Sequence, residues 1–409
     1  MEFQKIKLHR SEKNRAAVTQ ITLDDDYNVP DYRQDIVKVI KERGELRFDE
    51  VKAMEGAAWI KGSLVFKVLY RSDKQEGKIS CLRGEIPFQE RLNMDGLSEY
   101  DAVHATGDME DLTIGVINSR KLNVRAVIVL TASSEKEVDE ELTCELSDGS
   151  SYEQNIVEKE ALKLLVVRRD ICRQKSEAVL PSSKPNIREI LWQSMQLRNV
   201  ESRLVEGKIR LSGEILVSIL YNDEEEGEHL SWYETTVPLD AQAECGVMED
   251  DCIWQVQMVP LTMELEVKPD YDGEERILVM ELALDTHIRI WKEEKIRLLT
   301  DLYSLQKEVK PVFRECPLER LLVKNAAKCR MTEQMELKED KEKVLQICSC
   351  EGKVLLERQE IKPDGVLAEG TVEVNILYIT PDDHMPVGAV QEIYPFSQLV
   401  EIPEMSAQA

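Results

Sequence analysis

Glu206-Gly207-Lys208-Ile209-Arg210-Leu211-Ser212-Gly213-Glu214-Ile215-Leu216-Val217-Ser218-Ile219-Leu220-Tyr221 carries two signals in succession. Glu-Gly is turn chemistry, because glycine reaches positive φ at no steric cost. After Gly213, Ile215, Val217, Ile219 and Tyr221 recur at every second position, while Glu214, Leu216 and Ser218 between them are mixed. Period-two alternation is the pattern of a half-buried strand. Gly213 inside that strand marks a bulge or the close approach of another backbone. On this reading Gly213→Val destabilises its module by ~1–3 kcal/mol.

The same text occurs three times. Glu55-Gly56 and Asp364-Gly365 open equivalent turns, followed five or six residues later by Gly62 and Gly370. Tyr70, Tyr221 and Tyr378 each lie eight residues past the second glycine, and Pro87, Pro238 and Pro395 each lie seventeen residues past the tyrosine. Leu64, Phe66 and Val68 in the first copy and Val372, Val374 and Ile376 in the third repeat the apolar alternation. Leu69, Leu220 and Leu377 hold one position in all three, which implies a strand end covered on both faces. The tyrosines end the apolar face, where a ring packs in the core and its hydroxyl reaches a partner at the rim.

Upstream, Ile36 and Val39, Ile187 and Ile190, and Val344 and Ile347 show three-residue spacing, read as a short helical turn leading into a strand. An offset of 157 aligns Leu142-Thr143 with Leu299-Thr300, Leu164-Leu165-Val166 with Leu321-Leu322-Val323, and Cys172-Arg173 with Cys329-Arg330. Leu122-Asn123-Val124 is matched to Ile277-Leu278-Val279, and all these runs read as strands. Residues 156–167 and 318–328 are compatible with helix as well. The expected architecture is all-β: three tandem antiparallel β-sandwich-like modules at 1–134, 135–291 and 292–409, with minor short helices. The third is incomplete, since only 14 residues follow Pro395, whereas 43 and 46 residues carry the first two copies to Leu130 and Leu284. Two readings of that shortfall stand: the chain is a fragment of a longer protein, or a partner completes the sheet and supports self-association there.

Composition removes several function classes. A net charge of −26 opposes nucleic-acid binding, which needs clustered cations. No apolar run approaches the ~18 residues of a membrane span, and Met1-Glu2-Phe3-Gln4-Lys5 lacks a signal-peptide core, so a cytoplasmic protein is expected. The nine cysteines are then expected as thiols. Cys348-Ser349-Cys350 places two of them on one strand face, read as buried apolar positions over a metal or redox site; the recurring Cys172 and Cys329 suggest packing. Asp223-Glu224-Glu225-Glu226 reads as a solvated hairpin tip, lacking the alternating ligands of a calcium loop. Of five histidines none recurs, and His384 beside Asp382 and Asp383 reads as a surface loop. Trp59, Trp192, Trp232, Trp254 and Trp291 do not repeat either, which weakens a shared ligand pocket. No catalytic, cofactor-binding or metal residue is assigned.

Pro30-Asp31-x-x-x-Asp35-Ile36-x-x-Val39, the acidic-Gly turn, the Gly-to-Tyr spacing, the later Pro-Phe and Asn118-x-Arg120-Lys121 together resemble the SPOCS domain of the SipL-like spore coat morphogenetic proteins, as two complete copies and one partial copy. The resemblance implies a non-enzymatic scaffold or adaptor of endospore coat or envelope assembly. It would act in the mother-cell cytoplasm at the forespore surface and bind a coat basement-layer ATPase of the SpoIVA type or other coat proteins. Such proteins usually end in a LysM domain implied to contact the ATPase, and this chain carries no LysM segment, which puts the partner in question. The competing reading is an array of carbohydrate- or peptidoglycan-binding modules, which expects an exposed aromatic residue in every copy. An enzyme is the third.

Overall fold

A computed structural model describes residues 2–72, 77–147, 152–224, 229–247, 249, 251–306, 308–324, 326–337 and 343–402, the side chains of 12–15 excepted. Glu225 and Glu226 of the acidic tip and the end of the chain from Pro403 lie outside the described residues. Fifteen strands run in order: β1 (Phe3–Asn28), β2 (Lys38–Met54), β3 (Ala57–Arg71), β4 (Ile79–Asn93), β5 (Val103–Asn118), β6 (Lys121–Leu146), β7 (Glu153–Val179), β8 (Ile187–Val205), β9 (Lys208–Asp223), β10 (Leu230–Glu244), β11 (Cys252–Pro269), β12 (Glu275–Tyr303), β13 (Gln346–Lys362), β14 (Gly365–Ile379) and β15 (Val387–Glu401).

Among the described residues they form five antiparallel three-stranded sheets. In the first module β2-β3-β4 faces β1-β6-β5, and the two share one core that includes Phe66, Leu82, Leu122 and Ile128. In the second, β8-β9-β10 faces β7-β12-β11 over Ile215, Val217, Leu282 and Ile288. Among the described residues the third contributes β13-β14-β15 alone. The chain is therefore all-β, as the alternation requires. β6 and β12 run without interruption through residues 134 and 291.

Three details differ from expectation. The short helical segments are absent among the described residues: Pro30–Arg33 is one turn closed by Arg33 N–H to the Pro30 carbonyl at 2.9 Å. Residues 156–167 lie in β7, paired with β12, whereas 318–328 form neither strand nor helix where described. The apolar text of 321–323 equals that of β7, but a strand exists only with a neighbour to accept its hydrogen bonds. Finally, Leu122 matches Leu278 and not Ile277. Leu122 faces Tyr27 and Leu278 faces Ala178, and both leucines are fully buried. A slip of one residue would turn the whole core face outward.

The three middle sheets close on one another. β4 touches β8, β10 touches β13, and β15 touches β2, so each sheet's last strand meets the first strand of the next and the ring closes. At its centre lies a core built from repeat-equivalent residues: Leu69, Leu220 and Leu377; Ile40, Leu191 and Cys348; Ile79, Leu230 and Val387. The recurring leucine is covered on both faces because this hub lies behind the strand end. Trp232 shares its repeat position with Cys81 and Ala389, and Trp192 with Lys41 and Ser349. A close-packed centre admits one large ring per layer, which is why these tryptophans occur in a single module. The long ends of β1, β6, β7 and β12 form a separate arm held by Leu8, Leu142, Ala161 and Ile296.

Candidate functional site: the hub and the open third sheet

The repeated glycines lie opposite register shifts in the neighbouring strand. A Cβ on Gly62 would fall 2.4 Å from the Arg47 carbonyl oxygen, on Gly213 2.9 Å from that of Arg198, and on Gly370 2.0 Å from that of Leu355. Arg47, Arg198 and Leu355 are themselves repeat-equivalent, so all three modules use the same bulge and the same close backbone approach. The turn before it has Glu206 at φ 48° and Gly207 at φ 78°, the pair of positive values a tight hairpin requires. Pro87, Pro238 and Pro395 fall in β4, β10 and β15, the edge strands, where a missing N–H removes no ladder bond.

The tyrosines are buried and anchored. Tyr70 donates to the Gln34 carbonyl and Tyr221 to the Pro185 carbonyl, each at 3.1 Å, and burial pushes both phenols up to about 12. Each hydroxyl thus fixes the turn preceding its own sheet. A second anchor was not assigned from sequence. Arg120 donates to the carbonyls of Arg33 at 2.7 Å and Pro30 at 2.9 Å, and Arg276 donates to those of Pro181 at 2.7 Å and Lys184 at 3.0 Å. One guanidinium per complete module clamps the proline turn; the offset of 156 that aligns Leu122 with Leu278 also aligns these arginines.

The thiols divide. Cys348 is buried in the hub and burial pushes it up to about 12. Cys350 is exposed, because a register shift between Ile347 and Ser349 breaks the alternation that would have placed both on one face. Cys172 Sγ lies 3.5 Å from the Gln242 carbonyl, and Cys329 Sγ lies 3.2 Å from Gln398 Oε1, one position from the equivalent point on β15. The two equivalent thiols thus each lie beside the last strand of a middle sheet. Among the described residues no cluster of His, Cys, Asp and Glu could hold a metal ion. The 382–385 loop is a turn in which His384 N–H donates to Asp382 Oδ1 at 2.8 Å. It meets the first module where Arg71 donates to the His384 carbonyl at 3.2 Å.

The third sheet has one covered face. Leu377, toward the hub, is buried. On the opposite face Val372, Val374 and Ile376 are half-buried, and Val354 and Leu356 beside them are 65% and 49% exposed. Their counterparts Ile215, Val217 and Ile219 in the second module are 1% exposed. Exposed apolar faces on a sheet commonly mark sites of interaction.

These features define a class: tandem β-sandwich modules joined head to tail around a common hub. The family model for SipL, SPOCS domain, matches residues 35–117, 186–268 and 343–409, one match per module and together more than half of the chain. The chain belongs to the SipL SPOCS-domain family, which ties it to sporulation. Each match takes in a middle sheet, and the first two also take in β5 and β11 of the covering sheets. No curated protein and no solved structure matches the chain. Among the described residues no helix is long and apolar enough to cross a membrane.

Proposed function

We propose that the protein is a non-enzymatic scaffold of the endospore coat or envelope, working by protein–protein contact at the forespore surface in the mother-cell cytoplasm. The observation that carries this reading is the open apolar face of β13-β14-β15, held rigid by the hub and by family modules that bury the same residues elsewhere. A face of Val354, Leu356, Val372, Val374 and Ile376 offers a second chain the burial that the second module gains from its own β7-β12-β11 sheet. The partner is a coat basement-layer ATPase of the SpoIVA type.

The test is a fluorescent fusion imaged in sporulating cells with and without that ATPase, in the native sequence and in a Val374→Glu, Ile376→Glu double variant. A forespore ring that needs the ATPase and is lost in the double variant supports the reading. A ring that persists in the double variant removes the open face from recruitment. Diffuse signal from the native chain removes the scaffold assignment, and dimerisation of the purified protein abolished by the double variant would reassign the face to self-association.

A further inference from the structure

Lys41 stands at the repeat position that holds Trp192 and Ser349 in the other modules. It is 7% exposed, its Nζ has no hydrogen-bond partner, and it lies 5.5 Å from the centroid of the Trp192 ring. The indole Nε1 of Trp192 is likewise buried without a partner. A buried ammonium without an acceptor is costly, and a contact with an aromatic face offsets part of that cost only.

Lys41 lines a cleft of about 670 Å³ where β2 and β5 of the first module face β8 of the second and the sheet of the third. That size suits a small-molecule ligand. The other cations on its wall are engaged. Arg43 pairs with Glu45 at 3.1 Å and Glu351 at 3.6 Å, and Lys353 donates to the Met109 carbonyl at 2.9 Å. Carboxylates outnumber cations around the cleft, which excludes a polyanion. Glu42, half-buried, lies near Asp111; burial first and that neighbouring charge second push its carboxyl up. The cleft thus offers one cation seeking an acceptor and, across β2, a carboxyl pair that favours a cation.

We propose that this cleft binds a small aliphatic zwitterion, its carboxylate on Lys41 Nζ and its ammonium group at Glu42 and Asp111. The site belongs to the ring itself and is independent of the open third face, so either assignment can fail alone.

The probes are 6-aminohexanoate, hexanoate and hexylamine, which share a chain length and differ in charge, titrated calorimetrically into the full chain. Saturable binding of 6-aminohexanoate, at least tenfold tighter than either singly charged compound, is expected. Lys41→Met, which places an apolar side chain against Trp192, should fold as the native chain does and lose that binding. Glu42→Gln should weaken 6-aminohexanoate and leave hexanoate unchanged. A readout without substitution is protection: 6-aminohexanoate should slow acylation of Lys41 by an amine-reactive ester, followed by peptide mass spectrometry. Absence of saturable binding together with absence of protection overturns the site. Hexanoate binding as tightly as 6-aminohexanoate overturns the zwitterion, and undiminished binding to Lys41→Met overturns the role of Lys41.

Discussion

β9 and β14 carry the same alternation and occupy different surroundings. Ile215, Val217 and Ile219 on β9 are sealed by β7-β12-β11, while Val372, Val374 and Ile376 on β14 are half in water. Both strands keep the same bulge, the same proline on the next strand and the same buried tyrosine. The repeated text therefore specifies a three-stranded sheet and its place in the ring. It does not by itself specify a sandwich, because two strands of each covering sheet, β1 and β6 or β7 and β12, come from segments outside the matched stretches. Chain 321–330 makes the point from the other side: with the apolar text of β7 but no β12 beside it, it stays irregular where described.

The largest test of this difference is a matched pair of truncations. Ile219→Ala should cost about 2–4 kcal/mol, the range for an aliphatic side chain in a sealed core, and Ile376→Ala less than about half as much because water already reaches its site. Equilibrium denaturation of both variants gives the answer; equal costs would mean that the third sheet is covered in solution. The bulge should be less sensitive to the covering sheet. Gly213→Val is expected to destabilise the second module by about 1–3 kcal/mol, since its Cβ would meet the Arg198 carbonyl and the Val200 backbone. An unchanged denaturation midpoint would remove the close approach as the reason for the glycine.

Much of this was legible in residue order. Turn, bulge glycine, alternating strand, tyrosine and edge proline each have a local cause, and each local cause was written three times. Hub membership was half legible: Leu69, Leu220 and Leu377 showed that something covers the strand end, but not that the three meet one another. That convergence is a product of ring closure, which no spacing encodes. Lys41 escaped notice for the same reason, being unremarkable until Trp192 is brought against it. The faces of Cys348 and Cys350 and the alignment of Leu122 failed on single-residue shifts, which reverse a strand's faces and leave no mark in composition. Arg120 and Arg276 escaped because their targets are backbone carbonyls ninety residues away.

A smaller effect separates the tyrosine anchors from simple packing. Tyr221→Phe keeps the ring and leaves the Pro185 carbonyl without its donor, so a loss of about 1 kcal/mol is expected in the second module. Tyr70→Phe should lose about as much in the first, through Gln34. Thermal melts that return native midpoints for both would reduce the hydroxyls to bystanders.

The smallest effect concerns the arm that joins the first two modules and has no described counterpart in the third. His104 on β5 and His287 on β12 pack against each other with ring planes tilted by 43° and centroids 5.6 Å apart. Arg169 from β7 reaches His104 Nδ1 at 3.4 Å while gripping Asp285 at 2.5–2.9 Å. Arg289 of β12 pairs with Glu135 of β6 at 2.5 Å, and Ser11 of β1 donates to the same carboxylate. Burial, and then the charge of Arg169 at His104 and of Arg289 at His287, push both imidazoles below the ordinary 6.5. The unfolded chain then binds protons near pH 6.5 that the folded chain refuses. The arm's stability is complete above that pH and declines as pH falls through 6.5 and below. Solvent screening holds the loss for the pair below about 1 kcal/mol. Amide hydrogen exchange between pH 7 and 5.5, corrected for intrinsic rates, should show β5 and β12 loosening while β13-β14-β15 stays unchanged, and a His104→Gln, His287→Gln double variant should abolish the difference. Loosening of the third sheet in step with the arm would place the acid sensitivity in the ring instead.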